Sequence, residues 1–254
     1  MQRRAPSLGR IARRALASGI FCAPALAVAQ APAAPPQPPS APVPAPAVPV
    51  APAARFVVVL DAAHGGDDPG GHSGDWMEKD FTLALSVRLR SLLAARGIAV
   101  VTTRESDLAL DAGKRAEIAN HAGAEACLNL HASLNGSGIH LFVSSLAPVE
   151  PAQFEPWRTA QAAAMTRSLA LAGVLNSALL QAGLPVTLGR TALPVVDSMT
   201  CPAVAVEVAP ERDSSQPPVE SLNDPRYQAK VAGALAAALV EWRSGALRTG
   251  GREP

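Results

Sequence analysis

Arg55-Phe-Val-Val-Val-Leu-Asp-Ala-Ala-His-Gly-Gly66 decides the reading of the chain. Five apolar residues in a row, three of them β-branched, suit a strand covered on both faces, as in a parallel sheet. The run stops at Asp61 and passes into a loop through 77 that is rich in Gly and Asp. Glu78-Lys-Asp80 then opens a stretch with Phe81, Leu85, Leu89 and Leu92 at helical spacing, and Gly97 stops it. The same alternation continues to the C-terminus. Strands are expected at Ile98 to Thr103, Ala124 to His131, Ile139 to Ser144 and Pro202 to Val208. Helices are expected at Asp111 to Ala122, Trp157 to Gln181 and Pro225 to Trp242. Strands separated by helices predict an α/β fold, a single domain with a largely parallel twisted sheet and helices on both faces. In such a fold the strand ends carry the chemistry.

Outward from this domain, residues 55–245, the composition changes. Residues 1–29 read as an export signal: Arg3, Arg4, Arg10, Arg13 and Arg14 are followed by an apolar run from Ala15 that ends in Ala27-Val-Ala29. A run of about 15 residues is short for a membrane span, which needs roughly 20, so no permanent span is expected after signal removal. Arg13-Arg14 is a loose match to a twin-arginine signal, and Phe21 before Cys22 argues against lipidation. Residues 30–54 are almost wholly Pro, Ala and Val. They read as a disordered linker that could reach roughly 75 Å at about 3.1 Å per residue. Residues 246–254 read as a disordered tail. The formal charge of +1 becomes −4 once the five signal arginines are removed, which leaves no electrostatic footprint for nucleic acid. Cys127 and Cys201 are the two cysteines of the domain. They could pair only with Cα atoms within about 7 Å, and two buried free thiols are the expectation.

The polar residues at strand ends form a candidate metal constellation. A catalytic zinc site takes three protein ligands and leaves a position open for water. His64 after the first strand, Glu78 at the first helix start and His131 at the end of the third strand would supply a His-Glu-His set. Glu207 lies in Ala203-Val-Ala-Val-Glu-Val208, a strand too apolar to hold an unpaired carboxylate cheaply. Beside an activated water it would act as general base and then general acid. Each residue also has an ordinary reading. His64 could cap a loop, Glu78 could be a plain helix-start acid, His131 a core histidine, and Glu207 a partner of Arg104 or Arg190. No compact signature of the H-E-x-x-H kind is present to settle it.

The motifs in order resemble those of the zinc-dependent N-acetylmuramoyl-L-alanine amidases of the type-3 amidase family, over nearly all of residues 56–243. Val57-Val-Val-Leu-Asp-Ala-Ala-His-Gly-Gly66 is similar to the opening strand and first ligand of that family. Asp68-Pro-Gly70 with Glu78-Lys-Asp80 is similar to its second-ligand segment. Thr103-Arg-Glu-Ser-Asp107, with Arg115 and Ala119-Asn120, is similar to the T-R-x-x-D…R…A-N stretch of that family. Asn129-Leu-His-Ala132 resembles the third-ligand strand, Cys201-Pro-Ala-Val-Ala-Val-Glu207 the strand of the catalytic glutamate, and Asp224-Pro-Arg-Tyr-Gln228 the start of the last helix.

The resemblance implies that His64, Glu78 and His131 bind Zn2+ and that Glu207 is catalytic. The implied reaction is hydrolysis of the amide between N-acetylmuramic acid and L-alanine in peptidoglycan, in the periplasm or cell envelope, for cell separation or wall turnover. The sequence departs from the family at Ala62-Ala63 before the first ligand, at Ser133 two past the third, and at Val208-Ala209-Pro210 after Glu207. Some members carry a helix that blocks the metal until a coiled-coil activator protein removes it. Residues 146–156 are short and Pro-rich for such a helix, although Glu150 or Glu155 could still reach the metal. The expectation is a domain active by itself. His72, His121 and His140 are expected to be structural, Asp61 to orient an imidazole or satisfy loop N–H groups, and Arg104 and Arg115 to hold loops. Rival readings are a zinc peptidase acting within the stem peptide and an inactive wall-binding regulatory module.

Overall fold

The computed structural model describes residues 55–146, 160–212 and 215–250. The expected export signal and linker, and the 146–156 segment beyond Leu146, lie outside the described residues. The elements, in chain order, are β1 (Val57–Ala62), β2 (His72–Ser73), β3 (Trp76–Met77), α1 (Glu78–Ala94), β4 (Ala99–Thr102), α2 (Ala112–His121), β5 (Ala126–Ala132), β6 (Ile139–Ser144), α3 (Ala160–Gln181), β7 (Val186–Thr191), α4 (Pro194–Asp197), β8 (Ala203–Val208), α5 (Pro218–Asn223) and α6 (Pro225–Gly250). Six strands form one sheet in the order β4-β1-β5-β8-β6-β7. All neighbours are parallel except β6 against β8. The expected α/β sheet with helices on both faces is therefore what the chain forms.

Period-2 alternation divides each strand between two cores. Val58, Leu60, Leu128, Leu130, Val204, Val206, Ile139 and Leu141 face one way and meet Leu85, Leu89 and Leu93 of α1, Leu171, Leu175 and Leu179 of α3 and Val231, Leu235 and Leu239 of α6. Val59, Cys127, Ala203 and Ala205 face the other way and meet Ala116 and Ala119 of α2 with Val196 and Met199 in and after α4. This second layer is thinner. It covers only part of its sheet face, and the polar residues that share the face lie beyond it.

Local chemistry accounts for the element ends. Asp111 caps α2, its side chain accepting from the Lys114 N–H, as an N-cap aspartate does. The α1 start has no side-chain cap but has Glu78 and Asp80 in its first turn, where carboxylates suit the helix dipole. At the start of α6, the buried Tyr227 hydroxyl donates to the Ala209 carbonyl at 2.6 Å, which ties the last helix to the end of β8. Burial pushes that hydroxyl's pKa up.

Four readings of the sequence need correction. Cys127 and Cys201 are not free thiols but a disulfide, with Cα atoms 6.1 Å apart. Parallel pairing sets Cys127 opposite Ala203, and Cys201 stands two residues before it, within bridging reach. The loop through 77 contains the small hairpin β2–β3. Three elements, β7, α4 and α5, stand where only connections were expected. α6 also runs past residue 245 to Gly250.

Candidate metal and catalytic site

His64 leaves β1 in a left-handed backbone conformation, φ 61°, alone among the described non-glycine residues. Strained backbone of this kind persists only where the surroundings over-determine it. Two arginines do so here. Arg115 donates to the carbonyls of Ala62 at 2.6 Å and His64 at 2.7 Å. Arg104 donates to those of Ala62, Ala63 and Lys79. Both hold loops, as expected, and neither pairs with Glu207.

The loop returns to place Glu78 beneath His64. Gly71 donates its N–H to Glu78 Oε2 at 2.9 Å, and Ala132 donates to Oε1 at 3.1 Å. Gly70 has to lack a side chain: at φ 66°, a Cβ would lie 2.6 Å from His64 Cδ2 and 2.7 Å from Glu78 Oε2. His131 comes from the end of β5.

The three expected metal residues meet. Glu78 Oε1 is 3.2 Å from His64 Nε2 and 2.9 Å from His131 Nδ1. One ligand atom from each of the three lies within 4.8 Å of the others. The rings of His64 and His131 stand edge to face, centroids 5.3 Å apart. The outer nitrogen of each imidazole has its own acceptor. His64 Nδ1 meets Asp68 Oδ2 at 2.8 Å, and His131 Nε2 meets Asn129 Oδ1 at 3.1 Å. Outer partners of this type fix the tautomer of a metal-binding histidine and leave the inner nitrogen's lone pair for the ion. Two imidazoles and one carboxylate, inner atoms converging and outer nitrogens held, are a donor set that fits a divalent ion with a position left open.

The electrostatics agree with that fit. The hydrogen bond to Glu78 raises the pKa of His64 to about 8, against burial and with help from Asp68. Burial pushes the Glu78 carboxyl up, but hydrogen bonds from His131, His64 and the Gly71 and Ala132 N–H groups outweigh it and hold the pKa well below the usual range. Without a cation the pocket protonates a histidine to balance its carboxylate.

Asp61 does not touch an imidazole directly. Fully buried, it accepts from Thr103 Oγ1 at 2.6 Å, Arg115 Nη1 at 2.8 Å and Asn129 Nδ2 at 2.6 Å. Asn129 therefore links it to His131. Sequence reasoning passed over Asn129 and Asp68. Asn129 was findable, because it lies two residues before His131 and so on the same sheet face; nothing in the loop spacing marks Asp68.

Glu207 lies directly beside His131 in the parallel register of β5 and β8, on the same face. It is half-buried, not sunk in the core. No side chain among the described residues pairs with it, Arg104 and Arg190 included. Arg190 donates instead to the Ser144 and Leu146 carbonyls. His72 and His121 stand apart from the cluster, bonded to backbone carbonyls of Gly70 and Glu117.

Comparison with known proteins follows the same lines. The family model described as N-acetylmuramoyl-L-alanine amidase matches residues 58–241. The germination-specific N-acetylmuramoyl-L-alanine amidase of Bacillus subtilis is 34% identical over 94 residues, covering 32% of this chain and 40% of that protein. The N-acetylmuramoyl-L-alanine amidase AmiA of Escherichia coli is 41% identical over 78 residues, 30% of this chain and 27% of its own. The matched stretch is thus less than half of either relative. The solved catalytic domain of the N-acetylmuramoyl-L-alanine amidase CwlV from Bacillus (Paenibacillus) polymyxa var. colistinus superposes with a TM-score of 0.58 at 26% identity, over 74% of this chain and 98% of that one.

Proposed function

The chain belongs to the N-acetylmuramoyl-L-alanine amidase family, and from that membership we propose that it is a zinc hydrolase cutting the amide between N-acetylmuramic acid and L-alanine in peptidoglycan. The observation that carries the reading is the placement of Glu207 beside a His64–Glu78–His131 donor set.

His64, Glu78 and His131 would hold the zinc ion. When bound, zinc polarises the scissile carbonyl and lowers the pKa of a water. Glu207 takes a proton from the attacking water and delivers it to the leaving amine, so one carboxylate serves as base and then acid. Its half-exposed position lets it reach both. Asp68 and the Asp61–Asn129 pair hold the imidazoles in orientation, and the two arginines fix the loop that presents His64.

The reaction places the protein outside the cytoplasm, in keeping with residues 1–29 as an export signal and 30–54 as a linker ahead of a catalytic domain over 55–245. Its role would be cell separation or wall turnover. The domain works without a coiled-coil activator, a reading that rests on the shortness and proline content of 146–156.

Mass spectrometry of purified peptidoglycan digested by the zinc-loaded protein tests this. Free stem peptides beginning with L-alanine are expected. Glu207→Ala should lose roughly 100- to 10,000-fold in rate with its zinc content intact. Cuts inside the stem would make the protein a peptidase. Release only with an added activator would overturn the self-sufficient reading, and no release under any condition would leave a wall-binding module.

A further inference from the structure

His140 is one of three histidines that the reaction above leaves unused, and the sheet puts it in a telling place. The antiparallel register of β6 on β8 sets His140 opposite Glu207. The parallel register of β5 on β8 sets His131 opposite Glu207, and that of β6 on β7 sets Thr187 opposite His140. Directly opposed residues share a sheet face. His131, Glu207, His140 and Thr187 therefore form one polar row across four neighbouring strands. Strand spacing of about 4.8 Å puts His140 one step beyond Glu207 and about 10 Å from His131.

The half-buried His140 ring is held at one end only. Its Nδ1 lies 2.6 Å from Thr187 Oγ1. At the other end Nε2 faces Gly136, which has φ 82° and no side chain. A Cβ there would come within 2.9 Å of Nε2. No other side chain among the described residues hydrogen-bonds to the ring. An imidazole fixed at Nδ1, with its Nε2 beside a glycine and without a hydrogen-bond partner among the described residues, is a group prepared for a ligand, beside a general acid.

The row also has a chemical direction. The scissile carbonyl belongs at the metal residues, and the leaving amine belongs at Glu207, which must hand it a proton. From His131 to Glu207 the row runs from carbonyl to amine. One step further is what the amine is attached to. Consecutive Cα atoms are about 3.8 Å apart, so a step of one strand spacing reaches the first peptide unit of the leaving stem. We propose that His140 is a substrate-binding residue for the leaving stem peptide, hydrogen-bonding through Nε2 to an oxygen just beyond the L-alanine. The inference rests on the amidase reading for its direction. It makes His140 the residue by which the enzyme distinguishes a stem peptide from a lone L-alanine.

The test compares two substrates on the full-length zinc-loaded protein, N-acetylmuramoyl-L-alanine and N-acetylmuramoyl-tripeptide. In His140→Ala, kcat/KM on the tripeptide substrate should fall roughly tenfold, chiefly through KM, the loss of one good hydrogen bond to substrate. On N-acetylmuramoyl-L-alanine it should change less than about twofold. Thr187→Val, which frees the ring to turn, should shift the same ratio in the same direction by less. Zinc content and melting temperature of each variant show whether the fold and the metal site survive. Calorimetry with the free tripeptide should show binding weakened by the same factor in His140→Ala. Equal losses on both substrates, or no loss on either, overturn the proposal. If the wild type cleaves neither substrate, the amidase reading has failed. Calorimetry then still decides: tripeptide binding that depends on His140 supports the site, and binding that is absent or indifferent to the substitution removes it.

Discussion

Glu78 lies within hydrogen-bonding distance of two imidazole nitrogens and accepts from two backbone N–H groups, and the glycine at 70 leaves the space in which it does so. Gly70→Ala would add a side chain to a left-handed residue, at about 1–2 kcal/mol, and would press on both His64 and Glu78. Its melting temperature should drop modestly and its zinc affinity, measured by chelator competition, by tenfold or more. Asn129→Ala probes the other side of the site. It takes the acceptor from His131 Nε2 and a donor from the buried Asp61. Zinc affinity should fall about 10- to 100-fold although no proposed ligand has changed. A result equal to wild type would mean that His131 needs no outer partner.

His64 sets the pH behaviour of the metal-free protein. Its pKa is raised from 6.5 to about 8 by its pairing with Glu78. A raised histidine pKa means that the folded state binds the proton more tightly than the unfolded chain does. The stabilisation is complete below about pH 6.5 and disappears as pH rises through 8. With zinc removed by chelation, the melting temperature should decline between pH 6 and 9, and His64→Gln should flatten that decline. Zinc takes over the proton's task, so the loaded protein should lack it. A decline of the same size in the His64→Gln protein would assign the trend to another group.

At the scale of elements, the long apolar strands and the helices with a clear stripe could be read directly, because burial on one or both faces writes a pattern into the sequence. β1, β5, β6 and β8 fall within two residues of their expected bounds. β7 did not announce itself: Val186-Thr-Leu-Gly-Arg-Thr191 is an edge strand, Gly189 interrupts it, and Leu188 is exposed. The hairpin β2–β3 has two residues per strand, too few for any period. Pairing was not legible either, and it matters most. Only because β6 runs against β8 does its beginning, with His140, reach the edge where β5 and β8 end. The four metal and catalytic candidates were visible because polar side chains interrupt apolar runs. The residues that orient them were legible only in part: Asn129 shares the face of His131 two residues away, whereas nothing in the loop spacing ties Asp68 to His64. The disulfide belongs to this scale as well. It ties β5 to the approach to β8, the strands that carry His131 and Glu207, across a sequence separation of 74 residues. A closed loop of that length constrains the unfolded chain by up to about 4 kcal/mol in the chain-entropy model. Reductant should therefore lower the melting temperature clearly, the Cys127→Ala/Cys201→Ala protein should melt low without it, and reductant should have no further effect on that variant.

At the largest scale, the described residues pack asymmetrically about the sheet. α1, α3 and α6 cover one face with large aliphatic side chains, and α2 and α4 cover the other only in part. The uncovered part of the second face is where His131, Glu207 and His140 lie. The bulk of the aliphatic core and the candidate site are therefore separated, the first in the three-helix layer and the second at one sheet edge. The layer closes through α6, whose Trp242 donates to the Glu125 carbonyl and whose Arg243 donates to that of Arg96. Among the described residues, both cores are assembled from Phe56 onward. A protein beginning at residue 55 should consequently fold, with a melting temperature within a few degrees of the full chain, and bind zinc equally well. It should cleave a soluble muropeptide within about twofold of the full-length rate, because among the described residues Asp61, Asp68, Asn129 and the β5–β8 pairing that position the site lie within 61–132 and 203–208. Intact peptidoglycan is the substrate on which the two proteins should part. A proline-rich spacer extends about 3.1 Å per residue, and its reach matters only where the bonds to be cut are fixed in a mesh. Equal rates on the soluble and the intact substrate would show that residues 30–54 contribute nothing to access. A truncated protein that fails to bind zinc would show that the catalytic domain begins earlier than its two cores imply.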